Sequence, residues 1–148
     1  MSNDILNTYE KLDSQSMNLA EEYLKISDST MDSAITRHTS VYAFFGSVMA
    51  YAKKILDSHD LQLDNMEAQL RENQREELTN MGKKATDRAL DGYVKTVPEV
   101  QEMKQNVVSA QYKYNLARNI VNSLDHQKDM LVQMSANKRA EIKLHELN

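Results

Sequence analysis

Three glycines and one proline have to supply the sharp turns in a chain of 148 residues. Folds built on strands need many turns, and turns draw on glycine and proline for backbone angles that other residues avoid. A chain this poor in both makes few connections, so it is expected to be all-helical. A hydrophobic fraction of 41% supplies core material for one domain's length, while 27% charged residues leave a wide polar surface.

The absence of cysteine excludes a disulfide framework, a thiolate metal site and a cysteine nucleophile. It fits a reducing, cytoplasmic compartment. The opening Met1-Ser2-Asn3-Asp4 lacks the basic-then-apolar order of a secretory signal, so no leader is expected. The longest stretch without a formal charge, His38 to Ala52, is 15 residues, short of the roughly 20 needed to span a bilayer. No membrane association is expected.

The net charge of −4 is unevenly placed. Residues 1–32 hold seven acids and two bases, a charge of −5, whereas residues 33–148 hold 15 acids and 16 bases. The chain accordingly reads as an acidic N-terminal segment with a linker (1–32) and a long helical, oligomerising domain (33–148). Within the first, residues 4–26 read as a short amphipathic helical stretch. Ile5, Tyr9 and Leu12 share one face, as do Leu19, Tyr23 and Ile26, and Ser14-Gln15-Ser16 is a possible interruption. The run Ser27 to Ser33 is rich in capping residue types and reads as a linker, with a new helix starting between Asp28 and Ser33.

The first long helix is expected from about Ser33 to about Asn80. A heptad register from Ile35 puts Ile35, His38, Tyr42, Phe45, Met49, Ala52, Leu56, His59, Leu63, Met66 and Leu70 on one seam, with histidines as its only non-apolar members. A second stripe of Val41, Phe44, Val48, Tyr51 and Ile55 lies beside it, so the segment from Val41 to Ala52 is apolar nearly all round. Such a helix must be covered on several sides. Val41, Tyr42, Phe45, Val48, Met49, Ala52 and Leu56 are therefore the candidate oligomerisation residues, and the assembly is expected to exceed a dimer.

Gly82 is placed to end this helix, and Thr86 or Asp87 to open a short one over roughly 87–95. Thr96-Val97-Pro98-Glu99 fits a capping box with Thr96 as N-cap. The last helix is expected from Val97 to about His145. Its seam runs Val100, Met103, Val107, Ala110, Tyr114, Ala117, Val121 and Leu124, then degrades through Lys128, Leu131, Ser135 and Lys138. Two helices of this length, each roughly 70 Å at about 1.5 Å per residue, joined by a short connection, are expected to fold back as an antiparallel hairpin with coiled-coil seams.

Catalytic patterns are missing. The residues three before each histidine are Ile35, Leu56, Ser123 and Ile142, so the Glu-x-x-His ligand pair of helical di-metal sites does not occur. No two histidines are four apart, Gly46-Ser47 lacks the second glycine of a nucleophile elbow, and Gly82-Lys83-Lys84 lacks the rest of a phosphate loop. Asp57, His59, Asp60 and Asp64 could be drawn together around a metal, but nothing in the pattern fixes their geometry. No enzyme activity, cofactor or metal is expected. His38 and His59, both at seam positions, read better as helix-packing histidines bonded across an interface than as pH-sensitive interface residues, and Tyr114 reads as a core residue, while Tyr112 stays open to base stacking.

Basic residues gather around the expected tip: Arg71, Arg75, Lys83, Lys84, Arg88 and Lys95, interleaved with Glu72, Glu76, Glu77, Asp87 and Asp91. From Thr79 to Asp87 the acids drop out until the end, and Lys83-Lys84 project. A second basic group, Lys138, Arg139 and Lys143, suits the end of a helix.

Several stretches together resemble the bacteriophage UvsY-type recombination mediators over roughly residues 33–145. They are Val41-Tyr42-Ala43-Phe44-Phe45, Ala52-Lys53-Lys54, the helix Leu61 to Leu78, the tip Lys83-Lys84-Ala85-Thr86-Asp87, the restart Val97-Pro98-Glu99 and the segment from Asp129 to Glu141. The resemblance implies a ring-like homo-oligomer in the host cytoplasm. It would bind single-stranded DNA and help a RecA-type recombinase displace a single-strand binding protein. It also implies DNA contacts late in the first long helix, nearest Arg71 and Arg75, and on that reading Lys83, Lys84 and Arg88 at the tip are further candidate DNA-binding residues. Glu72, Glu76 and Glu77 depart from that pattern. Two other readings fit the residues: a structural or chaperone-like coiled-coil assembly protein, and an acidic inhibitor acting through residues 1–32.

Overall fold

A computed structural model describes residues 2–12 and 31–146 of the chain. The described residues are all-helical, with no strand. Four helices follow in order: α1 (Ser2–Glu10), α2 (Met31–Asn80), α3 (Asp87–Thr96) and α4 (Pro98–Glu146). None of them is long and apolar enough to cross a membrane. The chain divides into two compact units. One is Met1–Ala52 with Lys113–Asn148, and the other is Lys53–Tyr112.

In the first unit, the start of α2 and the second half of α4 run antiparallel, and α1 lies against both. The core comprises Leu12, Phe45, Val48, Ala52, Ala117, Ile120, Val121 and Leu124, with Ile5, Tyr9, Val41, Tyr42 and Met49 packed around it. Ala52 and Ala117 are fully buried, small side chains that let helix backbones approach closely. His38 is buried and its Nε2 lies 2.7 Å from the Leu124 carbonyl, to which it donates. That is the packing role read from the heptad, realised between two helices of one chain.

The described start of the N-terminal segment packs into the core of the first unit. α1 ends at Glu10, and Leu12 is 1% exposed in the core. The Lys113 ammonium donates to the carbonyls of Tyr9 and Glu10, each at 3.2 Å, and sits 4.6 Å from the centre of the Tyr9 ring. It thus satisfies two terminal carbonyls of α1 and adds a cation–π contact. Tyr9 also meets Tyr51 edge-on at 5.3 Å. Burial, with Tyr51 adding to it, raises the Tyr9 hydroxyl above its ordinary pKa. The second face proposed for this segment, Leu19, Tyr23 and Ile26, and the start of the linker lie outside the described residues.

The α1 docking also answers how a helix apolar nearly all round is covered. Phe45, Val48 and Ala52 are buried within the chain, and Val41, Tyr42 and Met49 are half-buried. The residues left exposed over this stretch are Ala43, Ser47 and Ala50. Ile35, at the head of the seam, is 42% exposed. On α4 the buried positions after Ala117 are Ile120, Val121, Leu124, Gln127 and Leu131, and Lys128, where the seam is expected to degrade, is exposed.

In the second unit, α3 and the start of α4 accompany the later part of α2. Leu56, Leu90, Val94, Val100 and Ala110 are its buried apolar residues. The end of α2 is closed by paired backbone bonds, Gly82 N–H to Thr79 O at 2.9 Å and Lys83 N–H to Leu78 O at 2.8 Å. Gly82 has φ +67°, the left-handed conformation that costs an L-residue about 1–2 kcal/mol. Nothing lies within 4 Å of where its Cβ would stand. Gly82→Ala is therefore expected to cost about 1 kcal/mol through backbone strain alone, read as a lower urea midpoint with unchanged helical circular dichroism.

Thr86 caps α3, accepting from Ala89 N–H at 3.3 Å. The restart of α4 differs from the expected capping box. The Thr96 hydroxyl donates backward to Tyr93 O at 2.7 Å, and Val97 supplies the first carbonyl of α4, accepting from Val100 and Gln101. Pro98 opens the helix because its fixed φ suits the first turn and no amide is missed there. With α3 and α4 separated by Val97 alone, no residue is free to adopt a separate threonine cap.

Candidate nucleic-acid interface

All five basic residues singled out from the sequence, Arg71, Arg75, Lys83, Lys84 and Arg88, fall in the second unit and are exposed. They do not form one uniform site. Arg71 and Arg75 are one turn apart on α2, and both are paired. Arg71 Nη2 is 2.7 Å from Asp91 Oδ1 on α3, and Arg75 Nη1 is 2.6 Å from Glu72 Oε2 on its own helix. The shallow groove they line also carries Asp64, Glu67 and Glu72. The face therefore presents three carboxylates against two guanidinium groups. A phosphate arriving there has to displace existing partners and meets net negative charge. Each pair is half-exposed and so contributes only about 0–1 kcal/mol to stability, but its effect on an incoming anion is direct.

The turn between α2 and α3 is different. Lys83 and Lys84 lie in its extended stretch, and Arg88 is in the first turn of α3. None of the three forms an ion pair among the described residues, and the one acid between them is Asp87. The backbone presenting them is set at both ends, by the Gly82 closure and by the Thr86 cap. The cationic centre of the unit is thus this turn rather than the arginine pair on α2. No sequence signal marks the Arg71–Asp91 pair, because Asp91 comes from another helix and its register against α2 is set by packing.

Of the remaining candidates, Tyr114 is half-buried against the core of the first unit. Tyr112 is 51% exposed and lines a shallow, mostly apolar groove with Gln105 and Val108, itself 69% exposed. Lys104, at the edge of that groove, is held by Glu67 at 2.9 Å. Asp57 is paired with Lys53, and no group of three or more metal-ligating side chains comes together among the described residues. The Nδ1 of His59 is buried without a hydrogen-bond partner among the described residues.

No protein-family model, no curated protein and no solved structure matches this chain.

Proposed function

We propose that the protein is a homo-oligomeric, single-stranded-DNA-binding recombination mediator of the UvsY type, and that it holds phosphates at the turn carrying Lys83, Lys84 and Arg88. The observation that carries this reading is the set of three exposed cations, without ion pairs among the described residues, on a backbone fixed at both ends. A rigid presentation loses less entropy on binding than three cations on a loose tail. One such turn is a weak site. Repetition around an assembly larger than a dimer raises the overall affinity by avidity without new contacts, and the exposed Val108 and Tyr112 offer apolar surface for self-association.

Salt-titrated binding to oligo-dT tests the reading. Each phosphate contact adds about −0.7 to the slope of log K against log salt. Substituting Lys83, Lys84 and Arg88 together by alanine removes up to about two units of slope per engaged subunit, with the mass by light scattering unchanged. Arg71→Ala with Arg75→Ala changes the slope less, since those cations are already neutralised. Absence of oligo-dT binding at low salt would leave the structural coiled-coil reading. That reading is favoured by the use of Arg71 and Lys104 in ion pairs that tie α3 and α4 to α2.

A further inference from the structure

The far end of the first unit carries a cleft that the nucleic-acid reading does not use. Its volume is 270 Å³, and it opens between the start of α2 and the later part of α4. Ile35, Leu131 and Val132 form an apolar floor, and Lys128 and Arg139 stand at its margins. Leu131 is 4% exposed, whereas Ile35 and Val132 keep 42% and 60% of their surface in water. Large aliphatic side chains left this open beside a recess mark a place where another apolar group gains by binding.

The surrounding charge specifies what that group is attached to. Among the described residues that line the cleft, Lys128 and Arg139 are cationic and none is acidic. Lys128 has one carboxylate partner, Asp125, at a loose 3.4 Å. Arg139 donates its Nε to the Ser135 carbonyl at 3.1 Å and forms no ion pair among the described residues. Asp125, Asp129 and Glu141 on this part of α4 are exposed and do not line the cleft. On the α2 side the cleft takes His38 and Thr39, and the His38 Nε2 is committed to Leu124.

We infer that this cleft docks an acidic peptide of a partner protein, with one large apolar side chain on the Ile35–Leu131–Val132 floor and flanking carboxylates on Lys128 and Arg139. Charge complementarity selects the partner and the apolar anchor supplies most of the affinity. A nucleic acid suits the cleft poorly. Sequence-tolerant single-strand sites stack bases on aromatic rings, and among the described residues no phenylalanine, tyrosine or tryptophan lines this one. The volume lies at the lower limit of small-molecule pockets, about 300 Å³ and above, and fits one side chain better than a whole ligand.

Fluorescence anisotropy on the full chain tests the inference, with a labelled peptide of several aspartates followed by leucine and phenylalanine. Two control peptides replace the aspartates by lysines, or the two apolar residues by serines. The acidic, apolar peptide is expected to bind and both controls to fail. Exposed ion pairs are individually weak, so Lys128→Ala with Arg139→Ala is expected to weaken binding about tenfold, and Val132→Asp to abolish it. All three residues are exposed, so the variants keep the helical circular dichroism of the parent. Equal binding of either control, or unchanged binding by the double variant, overturns the inference. So does a double variant that loses oligo-dT binding or oligomer mass while still binding the peptide, because the cleft then serves DNA or a second copy. The peptide-binding readouts do not depend on whether the α2–α3 turn holds phosphates.

Discussion

Phe45→Glu is expected to unfold the first unit. Phe45 is 3% exposed and sits among Val48, Ala52, Ala117 and Val121, with Phe44 edge-on to its ring at 5.5 Å. Removing a buried phenylalanine costs about 3–5 kcal/mol by itself, and a carboxylate placed there has no cation in this cluster to pair with. The total rivals the roughly 5–15 kcal/mol that holds a domain together. Phe45→Leu keeps most of the apolar area and is expected to cost about 1 kcal/mol. Helical circular dichroism at increasing urea separates the outcomes. A Phe45→Glu chain with the midpoint of the parent would remove Phe45 from the core. Loss of oligomer mass with the helices intact would instead place Phe45 at an interface between copies.

Much of this architecture is legible in the sequence because long helices are governed by local rules. The scarcity of glycine and proline determines the class, the apolar period determines which faces are buried, and Gly82 and Thr86 mark ends by chemistry specific to those positions. The misreadings occur where a distant partner decides. The Thr96 capping box is a valid local pattern, but α3 runs on through Thr96 and α4 begins two residues later, so the hydroxyl turns back to Tyr93. The seam read as degrading from Lys128 has that residue exposed, while Gln127 beside it is buried, a position that hydrophobicity does not mark. The arginines expected to meet DNA are paired because α3 brings Asp91 against α2, a contact absent from any window of sequence. A basic residue counts toward a binding site only after its carboxylate neighbours in space are known, and for that reason the candidate site moves to Lys83, Lys84 and Arg88.

Deleting residues 1–12 gives the other large effect. The acidic N-terminal segment reads from sequence as a removable screen over basic sites, whose loss leaves the helices folded and tightens DNA binding. The packing of α1 leads to the opposite expectation. The deletion strips Leu12 from the core and Ile5 and Tyr9 from its flank, leaves Tyr51 without its ring partner and frees Lys113. One fully buried and two partly buried apolar side chains amount to roughly 4–6 kcal/mol of lost burial, a large share of a domain's stability. The charge removed is small, since Asp4 and Glu10 are offset by Lys11 to leave −1 of the −5 carried by residues 1–32. The truncated chain is therefore expected to unfold at a markedly lower urea midpoint, with little electrostatic gain in oligo-dT affinity. Salt separates the two causes. A loss due to burial persists from low to high salt, whereas a screening effect fades as the Debye length falls from about 30 Å at 0.01 M to about 3 Å at 1 M. An unchanged midpoint together with salt-sensitive tightening on DNA would restore the screening role and detach α1 from the core.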